Sequence, residues 1–125
     1  MPLDEKSRKK LEPVHSHLVA VITLAADRSP LPFIVTEGLR TAERQKQLYE
    51  AGATRTLNSR HLFGKAVDLA AVVDGEVRWD WPLYDILARA VKDAAADLKI
   101  PIVWGGDWKS FRDGPHFELD RKVYQ

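Results

Sequence analysis

The segment that decides the fold runs from Ser59 to Ala71 and reads SRHLFGKAVDLAA. Its second half is apolar apart from Asp68 and predicts a β-strand over residues 66–71. In such a strand Val67 and Leu69 face one side, and Asp68 faces the other between small alanines. The carboxylate is therefore at least partly buried, where it needs hydrogen bonds from backbone amides, a nearby arginine or a metal ion.

A histidine lies close enough to share the surroundings of this carboxylate. His61 precedes Asp68 by seven positions, and Gly64 between them can reverse the chain. The two side chains can then converge on one point.

A second histidine follows the same logic near the end of the chain, in the segment DGPHFEL over residues 113–119. As a strand, it would direct Phe117 and Leu119 into the core and His116 and Glu118 away from it. Two histidines and one aspartate on neighbouring strands would form a metal site with a fourth position open to water, as in catalytic zinc sites. The alternative is that the histidines are ordinary hydrogen-bonded polar residues.

The remaining pattern predicts an α+β domain, a small and mostly antiparallel sheet packed with helices. Gly52 to Lys65 is predicted as a loop, and Asp74-Gly75 marks a tight hairpin turn between residues 73 and 77. The predicted helices span residues 5–11, 13–27, 42–51 and 82–98, and the other predicted strands span 33–36, 102–104 and 116–119.

The amino-acid composition excludes several classes of protein. The chain has 125 residues, the size of one domain, and 19 Lys and Arg nearly balance 18 Asp and Glu. Such a balance argues against a nucleic-acid partner. Without cysteine, disulfide scaffolds, thiol nucleophiles and cysteine-bound metals are excluded. The polar N-terminus and the short apolar run at residues 18–26 predict cytoplasmic synthesis without a signal peptide and no membrane insertion.

Three motifs in the same order resemble one enzyme family. SRHLFGKAVD, residues 59–68, resembles the SxHxxGxAxD motif of the zinc-dependent D-alanyl-D-alanine and L-alanyl-D-glutamate peptidases. DGPHF, residues 113–117, resembles their second motif, and EGLRT, residues 37–41, resembles their substrate-binding segment. The resemblance extends from Phe33 to Leu119 and is greatest to the short phage endolysins that are L-alanyl-D-glutamate endopeptidases. It implies the fold shared by D-Ala-D-Ala peptidases and hedgehog domains.

This resemblance implies roles for seven residues. The zinc ligands are His61, Asp68 and His116; the catalytic acid/base is Asp113; the residue that polarises the scissile carbonyl is Arg40; substrate-binding residues are Arg40, Gln45 and Ser59. It also implies one zinc ion per chain, one catalytic domain over residues 1–125, and a monomer that binds a peptidoglycan stem peptide. Reaching the cell wall would require a holin or another release route.

The resemblance also separates two reactions. The carboxypeptidase and dipeptidase branches usually have glutamate where this chain has Asp113, so the L-Ala–D-Glu bond is the predicted target. The alternatives are a D-alanyl-D-alanine carboxypeptidase or dipeptidase, and a metal-binding module on the same scaffold without catalysis.

Several residue assignments stay open at this level. Arg40 could form an ion pair with Glu37, and Asp113 could cap the Gly-Pro turn, with Asp107 and Asp120 as rival acids. Glu118 could orient a ligand imidazole or face solvent. The two tryptophans that flank Gly105-Gly106 could line a peptide groove or pack in the core: Trp104 and Trp108.

Overall fold

A computed structural model describes residues 3–54, 56–57 and 59–125. Within these ranges the chain forms four helices, five strands and two short 3₁₀ turns. The helices are α1 (Glu5–Leu11), α2 (Ser16–Arg28), α3 (Ala42–Glu50) and α4 (Trp81–Leu98). The strands are β1 (Phe33–Glu37), β2 (Ala66–Val73), β3 (Glu76–Arg78), β4 (Ile102–Trp104) and β5 (His116–Leu119), and the 3₁₀ turns are Arg60–Phe63 and Gly105–Asp107.

All strands pair antiparallel, in the order β1-β2-β5-β4, and β3 pairs with the distal half of β2. The long strand β2 is central because β1 flanks it on one side and β5 on the other. Its register sets Asp68 opposite both Glu37 of β1 and His116 of β5. Three polar residues therefore lie in a row across the sheet.

A single hydrophobic cluster joins the long helices to one face of the sheet. Leu18, Val21 and Ile22 of α2 are fully buried, as their helical spacing predicts. On the predicted apolar face of α4, Leu87 and Val91 are fully buried, whereas Ile86 is 40% exposed. The sheet contributes residues that alternate with the polar row: Val67, Leu69, Phe117 and Leu119.

Helix α2 begins later than predicted, at Ser16 instead of Pro13. His15 caps it, because its Nδ1 accepts the His17 backbone N–H at 3.1 Å, while the His15 N–H donates to Gly64 O at 2.8 Å. Gly64 has a φ of 67°, and a Cβ there would lie 2.7 Å from the Pro13 carbonyl oxygen. Glycine therefore allows the segment that carries His61 to pack against the start of α2.

The turns between strands follow the sequence pattern in part. Asp74 and Gly75 have φ values of 52° and 79°, as a two-residue hairpin turn requires, so the predicted hairpin is confirmed. The segment predicted as a loop over 52–65 contains the 3₁₀ turn Arg60–Phe63 in its described part.

No helix among the described residues has the length and apolar character needed to cross a bilayer.

Candidate metal centre

Three side chains converge at the polar row of the sheet. His61 Nε2 lies 3.2 Å from Asp68 Oδ1, and His116 Nδ1 lies 3.2 Å from His61 Nε2 and 3.5 Å from Asp68 Oδ1. Both imidazoles are buried, and Asp68 is partly buried. One atom from each residue is thus available to the same small volume, which can hold a metal ion.

The outward nitrogen of each imidazole is held by a partner. His61 donates its Nδ1–H to the Gly38 carbonyl oxygen at 2.9 Å, since a carbonyl can only accept. His116 donates its Nε2–H to Glu118 Oε1 at 2.9 Å. These contacts select the tautomers that leave His61 Nε2 and His116 Nδ1 for a metal. Of the two alternatives for Glu118, the structure shows the one in which it orients an imidazole.

The charges of the cluster are strongly coupled. Burial favours a higher pKa for Asp68, but hydrogen bonds from His116 and His61 outweigh it and hold the pKa well below its ordinary value. Burial favours a lower pKa for His116, but hydrogen bonds to Asp68 and Glu118 raise that pKa to about 9, so a metal that binds Nδ1 must displace a proton. The cluster thus carries an ionised carboxylate, which is the form that binds a cation.

The donor set fits zinc. Imidazole nitrogens and carboxylate oxygens are zinc ligands, and two donors at tetrahedral zinc lie about 3.3 Å apart for bonds of about 2.0–2.1 Å. The donor separations of 3.2, 3.2 and 3.5 Å agree with that spacing. Three protein ligands leave a position for water or substrate, as in catalytic sites.

Arg40 lies beside this cluster and is held rigidly. Its side chain is 8% exposed, and its Nη2 reaches Asp68 Oδ2 at 3.4 Å. The ion pair with Glu37 that the sequence suggested is present, through both Nε and Nη2. Gln45 Oε1 accepts from Arg40 Nη1 at 2.7 Å, and its Nε2 donates to Thr56 O at 2.6 Å.

This geometry places Gln45 differently from the substrate-binding role that the resemblance implies. Its side chain is fully buried and supports Arg40 from behind, outside the residues that line the cavity. Ser59 does line the cavity, but its hydroxyl accepts the His61 backbone N–H at 3.2 Å and thereby caps the 3₁₀ turn. Gln45 and Ser59 each position a site residue in this structure.

Asp113 lies on the loop before β5 and lines the same cavity as the three candidate ligands. Burial and the nearby negative charge of Asp68 raise the pKa of its carboxyl above the ordinary value. The rival acids lie elsewhere: Asp107 pairs with Lys92 at 2.7 Å, and Asp120 accepts from the Lys122 backbone at 2.9 Å. Among the three acids, Asp113 alone adjoins the cluster.

The cavity has a volume of about 550 Å³ and includes residues that the sequence analysis missed. Trp108 contributes to its wall, with its ring 5.1 Å from that of His116, whereas Trp104 packs in the core against Phe117. The lining residues without a predicted role include Thr36, Arg44, Arg60, Phe111 and Arg121. Two of these had a sequence signal: Arg60 lies inside the motif at residues 59–68, and Arg44 follows Arg40 by four residues.

Glycine is required at position 105 by the packing of the site. A Cβ there would overlap the Asp113 carbonyl oxygen and approach Asp113 Cβ at 3.0 Å and His116 Cβ at 3.1 Å. We expect Gly105→Ala to displace both residues and to lower turnover by about 10²-fold, the effect of misplacing a catalytic group by about 1 Å. Steady-state kinetics and a thermal melt would test this; turnover at the wild-type level would contradict the packing argument.

Comparisons with known proteins show which family this chain resembles. Residues 1–125 match the family model described as phage L-alanyl-D-glutamate peptidase. The peptidoglycan L-alanyl-D-glutamate endopeptidase CwlK of Bacillus subtilis is 32% identical over 123 positions, which cover 87% of this chain and 73% of CwlK.

Solved structures extend the agreement to the fold. The L-Ala D-Glu endopeptidase ChiX of Serratia marcescens is 45% identical with a TM-score of 0.94, over 99% of this chain and 93% of ChiX. The D,D-dipeptidase VanXYg shares the fold at 19% identity and a TM-score of 0.57, over 85% of this chain and 50% of its own. The predicted family and the α+β fold are thereby confirmed, and the chain belongs to the phage L-alanyl-D-glutamate peptidase family.

Proposed function

We propose that this protein is a zinc-dependent endopeptidase that hydrolyses the L-Ala–D-Glu bond of peptidoglycan stem peptides. The observation that carries the proposal is the convergence of His61, Asp68 and His116 in one cavity with Asp113 and Arg40. The catalytic domain in this proposal comprises residues 1–125, binds one zinc ion and acts as a monomer.

His61 Nε2, Asp68 and His116 Nδ1 would hold the ion. When bound, zinc acts as a Lewis acid that polarises a carbonyl and makes water a better nucleophile near neutral pH. Glu118 and the Gly38 carbonyl keep the two imidazoles oriented for this task. Their hydrogen bonds also fix which nitrogen of each ring carries a proton.

Asp113 would move the proton. Its carboxylate accepts a proton from the water that attacks the L-Ala carbonyl carbon, and it later gives that proton to the leaving amine of D-Glu. The C–O bond forms and the C–N bond breaks, so the products are an L-Ala carboxyl group and a D-Glu amino group. Partial burial raises the pKa of Asp113 and so brings it closer to neutral pH, where one group can both accept and return a proton.

Arg40 would stabilise the negative charge that develops on the carbonyl oxygen. Its guanidinium is already oriented by Glu37 and Gln45, so little reorganisation is needed during the reaction. A fixed positive charge beside the developing oxyanion favours the tetrahedral state over the neutral carbonyl. This division of roles leaves Asp113 for proton transfer.

The choice of bond is supported by Asp113, which is shorter than the glutamate usual in the carboxypeptidase and dipeptidase branches. It is also supported by CwlK and ChiX, which are both described as L-Ala–D-Glu endopeptidases. The competing function, release of terminal D-Ala, has in its favour the fold shared with the D,D-dipeptidase VanXYg.

Digestion of purified muropeptides would distinguish the two reactions. We expect new D-Glu amino termini with L-Ala left on the glycan side, detected by amino-terminal labelling and mass spectrometry of the fragments. A matched digest with a chelator present should yield neither product. Free D-Ala with an intact L-Ala–D-Glu bond would instead establish the carboxypeptidase reaction.

Access to this substrate is a separate part of the proposal. The cell wall lies outside the compartment of synthesis, so we propose that a holin or another release route delivers the protein.

A further inference from the structure

We propose that Arg44 binds the free carboxylate of the substrate's D-Glu residue and makes the enzyme prefer stem peptides in which that carboxylate is not amidated. The inference rests on the proposed function. Glutamate has two carboxyl groups, and only one of them continues the peptide. The residue on the amine side of the scissile bond therefore brings a second carboxyl group, or its amide, into the cavity.

Arg44 lines that cavity with an incompletely used guanidinium. Its side chain is 53% exposed, and toward the described residues it has one ion pair, from Nε to Glu37 Oε2 at 3.8 Å. That distance is too long for a hydrogen bond. The guanidinium can therefore present a pair of N–H groups to a carboxylate from the substrate.

The other arginines around the cavity have closer partners. Arg40 is engaged by Glu37, Gln45 and Asp68. Arg60 is buried and donates to the backbone oxygens of Leu119 and Tyr124 at 3.3 and 2.5 Å. Arg121 donates from Nε to Glu118 Oε2 at 3.2 Å.

Arg44 also lies next to Arg40, because both arginines pair with Glu37. Glu37 bridges it to Arg40, with one carboxylate oxygen directed at each guanidinium, and Arg40 in turn contacts Asp68. A group bound by Arg44 is thus a short distance from the carbonyl that Arg40 would polarise. In D-Glu the second carboxylate is separated from the scissile nitrogen by only a few bonds.

The position of Arg44 in its helix adds an electrostatic reason. It lies in the first turn of α3, where the helix dipole disfavours a cation. A bound carboxylate would be attracted by both the guanidinium and this helix end. The surface thus provides an anion site whose ligand chemistry matches the D-Glu carboxylate.

The test uses two synthetic stem peptides that differ only in this group, one with the free D-Glu carboxylate and one with its amide. We expect wild-type kcat/KM to favour the free carboxylate by about 10- to 100-fold, the range expected for a charge-assisted pair. Arg44→Gln should lose this preference by slowing only the carboxylate peptide. Lys46→Gln, which removes a charge from the 71% exposed Lys46 on the same helix, should keep it.

Each contrary outcome has a distinct meaning. Cleavage of both peptides at equal rates by the wild type would overturn the inference and leave the proposed function intact. So would equal slowing of both peptides by Arg44→Gln, which would indicate a structural role, or loss of the preference in Arg121→Gln alone. Failure of the wild type to cut either peptide at L-Ala–D-Glu would instead remove the proposed function, and the inference with it.

Discussion

Replacing His116 by alanine is expected to remove zinc and to reduce hydrolysis of stem peptides to background. The change deletes Nδ1, which lies 3.2 Å from His61 Nε2, and leaves two ligands of three. Loss of a residue that only supports a ligand typically weakens metal binding by about 10- to 100-fold. Loss of the ligand itself should weaken metal binding further. Elemental analysis after dialysis would show the loss, from one zinc per chain to a small fraction, and His61→Ala should behave in the same way.

The matched control is His17→Ala, which removes an exposed histidine whose Nδ1 contacts the Tyr124 hydroxyl at 2.7 Å. It should retain zinc and activity. Circular dichroism of each variant would establish that the fold is retained. Full zinc content in folded His116→Ala would assign the metal to other residues and remove the basis of the proposed mechanism.

The elements of the fold that could be predicted from the sequence are those governed by local patterns. The apolar spacing of α2, the Thr41 cap of α3 and the Asp74-Gly75 turn each specify their own structure. The start of α2 could not be predicted, because His15 is fixed by a hydrogen bond to Gly64, which is distant in sequence. A proline at position 13 is equally compatible with a first helical turn and with the turn observed.

The geometry of the candidate site also depends partly on local sequence patterns and partly on contacts between residues that are distant in sequence. Alternation along two strands predicts that Asp68 and His116 avoid the core, but only the register of β2 against β5 sets them opposite each other. Motif matching assigns Gln45 to the substrate, whereas the fold buries it behind Arg40. A motif identifies that a residue matters at the site, and packing determines whether it contacts substrate or supports a residue that does.

Asp113→Asn is expected to keep zinc and the fold but to lower kcat by about 10²–10⁴-fold, the usual contribution of a general acid/base. The amide has nearly the same shape as the carboxyl group, so the loop before β5 should not move. It cannot accept the proton of the attacking water, however, and the leaving amine then departs without a proton donor. The separation of metal content from turnover distinguishes this variant from His116→Ala, where both are lost.

Asp107→Asn is the control that makes this prediction specific. Asp107 lies six residues earlier, pairs with Lys92 and is outside the cavity lining, so its amide variant should have wild-type turnover. The pH dependence gives a second test, because burial and Asp68 raise the pKa of Asp113. Activity that requires the Asp113 carboxylate should fall as pH decreases through this raised pKa, and Asp113→Asn should lose that limb while keeping its residual rate. If Asp113→Asn binds zinc and has turnover near the wild-type level, another acid must transfer the proton. That result would contradict the role proposed for Asp113.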